Sequence, residues 1–278
     1  MKRLALLVFL TLQVAVLMSA PRARRSRSHH VSKTRHSVMF FAGHNSFTVE
    51  TSTNIENNAG VLTISHPSFL VRYGLLSILE FRLNVDVTTI KDMNTGISKT
   101  GIMPLQPGLK VKLNQPRKFL PSFSFTASVI LPKASTSNMR QTYYGPYLIA
   151  SAEQDITKKL SFEYAAGLQW DADNFHRIYS TTINFEYDVR DLSTFYGDVY
   201  VFKEDGNPFD VRADIGFNET INSNLQFDFS SGAGFTSGSP EFFLSAGLFF
   251  SVQGKGKGKA VHATPIPPPL NRMPVPVR

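Results

Sequence analysis

In the stretch Leu79-Glu-Phe-Arg-Leu-Asn-Val-Asp-Val87 every odd position is apolar and every even position is polar. Successive side chains of an extended chain point to opposite sides. This segment is therefore a strand with one greasy face and one charged face. The pattern recurs along the chain. In 160–171, Leu160, Phe162, Tyr164, Ala166, Leu168 and Trp170 share one face, and Ser161, Glu163, Ala165, Gly167, Gln169 and Asp171 share the other. In 209–217, Phe209, Val211, Ala213, Ile215 and Phe217 alternate with Asp210, Arg212, Asp214 and Gly216. Related patterns run through 105–114, 122–131, 179–189, 225–235 and 242–252.

Working outward gives twelve strands, at about 46–54, 60–74, 78–88, 102–114, 121–131, 143–155, 160–171, 176–189, 193–203, 208–219, 224–235 and 240–252. The first two are the least regular. Even-numbered joins are comparatively short: 75–77, 115–120, 156–159, 190–192 and 220–223. Among the odd joins, 89–101 and 132–142 are long and polar, and the others are rich in turn formers. Tight turns on one rim and larger loops on the other characterise outer-membrane barrels. An even count puts both termini on the tight-turn side, the periplasm.

A lipocalin-like soluble barrel or a β-sandwich also alternates, so the deciding question is which face meets water. Most strands reach the ~10 residues that a tilted strand needs to cross a bilayer. The charges gather on one face, where an enclosed lumen can solvate or pair them. On the lipid face an Arg or Lys costs about 2–4 kcal/mol at mid-depth. Aromatics gather near strand ends, at Tyr143, Tyr144, Tyr147, Trp170, Phe175, Tyr179, Tyr196, Tyr200, Phe242 and Phe243, and are read as interfacial girdles. The fold class is all-β: a single antiparallel transmembrane β-barrel of about 12 strands, at 45–252, in the outer membrane of a Gram-negative bacterium.

The ends differ from this body. Lys2 and Arg3, the apolar run Leu4–Ala20 and its small-residue end read as a secretory signal peptide over 1–20. An uncleaved N-terminal membrane helix is the alternative. Residues 21–44 form a basic arm without material for a core, and 253–278 a tail that opens Gly-Lys-Gly-Lys-Gly-Lys and becomes proline-rich. The formal charge of +8 comes from these ends, which hold 13 of the 29 Lys and Arg. The body keeps 16 of them against all 21 Asp and Glu, so it is net acidic. A nucleic-acid partner is disfavoured for that reason. The chain has no cysteine, which removes disulfides, thiolate chemistry and zinc–sulfur sites.

Four stretches carry a likeness to a known family. They are Val71-Arg-Tyr-Gly-Leu75 followed by Leu79-Glu-Phe-Arg-Leu83; Pro107-Gly-Leu-Lys-Val-Lys-Leu113; the strand bounded by Leu120-Pro121 and Leu131-Pro132; and Asn224-Leu-Gln-Phe-Asp228 with Gly232-x-Gly234. On these the chain from about Pro67 to Val252 resembles the "MetA-pathway of phenol degradation" family of outer-membrane transporters. The resemblance implies a channel for small, aromatic or hydrophobic, organic solutes.

No motif for catalysis or a cofactor is present, and no metal-ligand spacing. His44, His66 and His176 read as ordinary surface or lumen residues, and His29-His30 as part of a solvated tail. The His-x-Ser-Asn-Gly pattern of twelve-stranded outer-membrane lipases is missing. The functional expectation therefore rests on the inward charges: Glu80, Arg82, Asp86, Lys110, Lys112, Glu163, Glu186, Asp188, Asp198, Asp210, Arg212, Asp214 and Asp228. Charges at close quarters in a narrow barrel form either a selective lining or a salt-bridged closed lumen. The last strand, with Ser245, Gly247, Phe250 and Val252, fits the signal read by barrel-assembly machinery. The expected partners are that machinery, outer-membrane lipid and a small organic solute.

Overall fold

The computed structural model describes residues 41–114, 120–190 and 192–253. The signal at 1–20, most of the basic arm and the tail after 253 lie outside the described residues. The strands in chain order are β1 (Ser46–Asn58), β2 (Val61–Leu76), β3 (Leu79–Asp92), β4 (Ser98–Ile102), β5 (Gln106–Lys112), β6 (Ser122–Ile130), β7 (Gly145–Asp155), β8 (Leu160–Trp170), β9 (Arg177–Arg190), β10 (Ser193–Glu204), β11 (Phe209–Asn222), β12 (Leu225–Gly234) and β13 (Phe242–Gln253). All pairings are antiparallel, and β13 returns to β1 in register from Ser46↔Gln253 to Asn57↔Phe242. The short β4 and β5 share one edge of β3: β4 pairs with Val87–Lys91 and β5 with Leu79–Asn84. They form one stave, so the barrel has twelve. Closure pairs every long strand among the described residues on both edges, as a sheet in lipid requires.

The barrel is inverted relative to a soluble one. Glu80 and Lys110 are 0 % exposed, whereas their chain neighbours Phe81 and Leu109 are 37 % and 45 % exposed. The parity holds around the circumference. Asn184, Glu186, Asp198, Asp214 and Asp228 are buried, and Phe185, Tyr187, Val199, Ile215 and Phe229 are exposed. Phe162 packs against Phe185 and Phe227 against Phe217 on the outer wall. A continuous greasy belt of this kind is not tolerated in water and matches a hydrocarbon core.

Two sequence expectations need correction. The strand expected at 102–114 is broken at Met103–Leu105, and 98–101, read as loop, forms β4. The connection 131–144 takes over as partner there. Thr136 N–H donates to the Ile102 carbonyl at 3.1 Å, Asn138 Nδ2 to the Thr100 carbonyl at 2.9 Å, and Leu105 N–H to the Ala134 carbonyl at 3.1 Å. Ser-Lys-Thr-Gly offers no apolar alternation, so a period-two reading had nothing to detect. Second, Tyr147, Tyr196, Tyr200 and Phe243 are not girdle residues. Each shares the inner face, Tyr147 beside buried Gln169 and Tyr196 and Tyr200 flanking buried Asp198. Tyr143, Tyr144, Phe175, Tyr179 and Phe242 do stand exposed near the loop rim. Tyr73, Tyr187, Phe195 and Phe250 make a second outward set near the tight turns.

The β1–β2 turn shows how local sequence sets register. Ala59 and Gly60 both take positive φ, 48° and 79°, the two-residue turn whose twist suits a hairpin.

Ile215, midway along β11, is 72 % exposed on the outer wall. Ile215→Arg should lower barrel stability by about 2–4 kcal/mol, read from urea unfolding in lipid vesicles. An unchanged midpoint would contradict the lipid-facing assignment.

Candidate functional site in the barrel lumen

All thirteen charged residues singled out in the sequence fall on the inner parity of their strands. Glu80, Arg82 and Asp86 come from β3, Lys110 and Lys112 from β5, Glu163 from β8, and Glu186 and Asp188 from β9. Asp198 comes from β10, Asp210, Arg212 and Asp214 from β11, and Asp228 from β12. Asp86, Lys112 and Asp188 keep part of their surface open, and the Asp86 carboxylate accepts from Ser68 Oγ. Glu186 accepts from Ser161 Oγ at 3.5 Å, and the other nine cluster in three groups.

The first group lies towards the tight-turn rim. The Arg72 guanidinium meets Glu50 Oε1 at 2.6 Å, and Arg82 Nε lies 3.5 Å from Glu80 Oε1. Lys110 sits in the combined field of Arg82, Glu80, Arg72 and Glu163. The segment before β1 closes in from the same end. Ala42, fully buried, donates its N–H to Glu80 Oε2 at 2.5 Å, and Asn45 N–H donates to the Gly74 carbonyl at 2.8 Å. Gly74 permits this approach, because a Cβ there would lie 2.0 Å from the Gly43 carbonyl oxygen. Residues 41–44, read from sequence as the end of the arm, are thus seated against the inner wall. Sequence reasoning missed Glu50 and Arg72, since β1 and β2 alternate poorly. Their signal was nevertheless present: Arg72 stands alone between Val71 and Tyr73.

The second group lines β10–β12. Asp198 and Asp214 face each other as cross-strand partners. Asn184 Nδ2 donates to Asp198 at 2.8 Å, and Tyr196 Oη donates to Asp228 at 3.0 Å. Glycines make room for the rings. A Cβ at Gly216 would lie 2.1 Å from Tyr196 Cζ, and one at Gly232 would lie 2.3 Å from Phe243 Cζ and 2.6 Å from Asp214 Cβ. The Phe243 ring tip therefore rests beside Asp214. Tyr200, Phe202 and Phe243 form a buried apolar cluster, with the Tyr200 and Phe202 rings stacked at 6.4 Å.

The third group is nearer the loop rim. Arg212 is held by Asp210, with Nε 2.9 Å from both carboxylate oxygens, and by Glu56 at 3.2 Å, while its guanidinium lies over the Phe202 ring. At the rim itself Glu204 accepts from Asn174 at 3.2 Å and Asn207 at 2.6 Å, and it meets His176 Nδ1 at 3.3 Å. Arg177 hydrogen-bonds Asp205 and holds that carboxyl below its ordinary range. Burial pushes Asp173, beside Gln141, in the other direction. His66 Nε2 meets Thr89 Oγ1 at 3.3 Å. Among the described residues no cluster of His, Asp or Glu is placed to hold a metal ion.

Residues 32–252 match the family described as the MetA-pathway of phenol degradation. An outer membrane channel from Pseudomonas putida F1 superposes with a TM-score of 0.62 at 12 % identity, over 79 % of this chain and 100 % of that one. The KdgM porin in complex with disordered oligogalacturonate superposes with a TM-score of 0.53 at 11 % identity, over 74 % and 99 % of the two chains. The NanC porin gives 0.50 at 12 % identity, over 73 % and 98 %. No curated protein sequence matches the chain. At these identities the structures speak to the fold.

Truncating one member of the Glu50–Arg72 pair strands a buried charge, which costs about 3–5 kcal/mol. Glu50→Ala should therefore be more destabilising than the double variant Glu50→Ala/Arg72→Ala, in a double-mutant cycle on urea midpoints. Additive losses would show that the ion pair has no mutual dependence.

Proposed function

This chain belongs to the MetA-pathway of phenol degradation family, and from that premise we propose that it is an outer-membrane channel for small organic solutes, with both termini periplasmic. The observation that carries the reading is the sidedness of the wall. Buried ionisable groups from nine staves are enclosed by a belt that only lipid can solvate. The family name points to small aromatic cargo. Side chains of a lumen wall set selectivity, and the acid excess of the body favours cations. The reading assigns the protein no reaction. Ser245 and Gly247 face inward on β13 while Phe250 and Val252 face outward, an arrangement that suits recognition of the last strand by assembly machinery.

The passage narrows where Glu80 and Lys110 are fully buried and residues 41–45 approach the wall. Conduction then requires that this level opens. The same observation favours a second reading, a salt-bridged closed barrel whose tails make the functional contacts.

Planar-bilayer recording separates the two. The channel reading expects small, cation-preferring conductance that increases in Lys110→Ala. A protein that inserts yet passes neither ions nor solutes, before and after that substitution, contradicts it. Loss of function on deleting 253–278 with the barrel intact would favour the closed reading.

A further inference from the structure

We propose that the wall formed by β10–β12 and β13 is a binding site for an organic cation, an ammonium group carried on a flat apolar body. The inference deepens the channel reading and rests on it for access to the lumen. Its starting point is an imbalance of charge. Glu50 has Arg72, Glu80 has Arg82, and both Glu56 and Asp210 have Arg212. The groups that act on Asp198 are Asn184, Asp214 and Tyr200, and those on Asp214 are Asp198, Ser230 and Asp228. None of these is a base. Arg212, opposite Tyr200 in the sheet, is already taken up by Asp210 and Glu56.

Like charges directly opposite on neighbouring strands destabilise a sheet. Asp198 and Asp214 are such a pair: their side chains hydrogen-bond each other, which takes a shared proton, and Asp214 Oδ1 is left buried without a hydrogen-bond partner. A cation seated between them takes the place of that proton and satisfies Asp214 Oδ1. A bare metal ion does not fit, because the described acidic groups do not converge into a coordination set.

The rings give the second, independent pointer. Phe243 lies beside Asp214, and Tyr200 and Phe202 continue the same surface. Aromatic faces attract cations through the ring quadrupole, most effectively when water is excluded. The wall already uses this attraction once, with the Arg212 guanidinium 5.4 Å from the Phe202 centroid. Carboxylates beside an aromatic surface match an alkylammonium with an apolar body better than a neutral hydrocarbon or an anion. Ser52, Thr182 and Ser245, also on the inner face, keep part of their surface open, so the lumen there is not sealed.

The test is calorimetric titration of the purified full chain in detergent with benzyltrimethylammonium and with its neutral isostere neopentylbenzene. The cation should bind at least about tenfold more tightly. Asp198→Asn and Asp214→Asn should each weaken it by about tenfold or more, while Asp205→Asn on an exposed loop leaves it unchanged. Heat-modifiable gel migration confirms that each variant forms a barrel. Equal binding of the isostere, undiminished binding in both Asn variants, or no binding at all would overturn the proposal. So would displacement of the probe by equimolar magnesium, or occupation of the wall by a peptide of residues 21–36 in place of the probe. Binding is read without transport, so a protein that binds the cation but conducts nothing fails the channel reading alone.

Discussion

Lipid cannot solvate a charge or an unpaired peptide group, and the rest of the architecture follows from that constraint. An unsatisfied backbone group in hydrocarbon costs several kcal/mol, so the sheet must close, and β13 pairs with β1 along nearly its full length. Once it is closed, the pleat allows two surfaces only. The odd positions of 79–87 meet lipid, and the even positions are confined with the buried charged residues of eight other staves. Confinement makes ion pairing structural. Carboxylates and guanidiniums that would be solvated on a soluble surface here depend on one another, as Glu50 and Arg72 do.

Glycine and aromatic residues tune that confined space together. Gly216 and Gly232 remove side chains where Tyr196 and Phe243 lie against the wall, and Gly74 lets the backbone of 41–45 approach. These positions act through what they leave open. A Cβ at any of the three meets atoms closer than 3 Å, so even alanine there forces rings or backbone to shift. The inner surface is consequently uneven, ion-paired towards the tight turns and aromatic with excess acid on β10–β12.

Where alternation is clean, the sequence shows the fold directly. Residues 79–87, 160–170 and 209–217 reveal their strands and the sidedness of every charge, because each apolar side chain answers to lipid and each charged one to the lumen. Legibility fails where that contrast is weak. Residues 98–101 have no greasy face: β4 pairs with the loop-rim end of β3 on one edge and meets the 131–144 connection on the other. Tyr196 and Tyr200 were misassigned because tyrosine suits both an interface and a polar lumen. Their parity with Asp198 was the better guide. Arg72 is hard to read because β2 is interrupted by a register shift between Ser65 and Ser68, and Glu50 because the residues that follow it on β1, Thr51-Ser-Thr-Asn54, are polar on both faces. Cross-strand proximity of Asp198 and Asp214 could not be read at all, because register between β10 and β11 is set by pairing, not by either strand alone.

The absence of native cysteine permits a direct test of sidedness. Single substitutions Phe229→Cys on the outer wall and Thr182→Cys on the inner wall would be challenged in vesicles with a membrane-impermeant charged maleimide and a bilayer-confined maleimide. The inverted barrel predicts that the charged reagent labels only position 182 and the bilayer reagent only position 229. The opposite pattern, with position 229 reacting as an aqueous thiol, would contradict the account at its foundation.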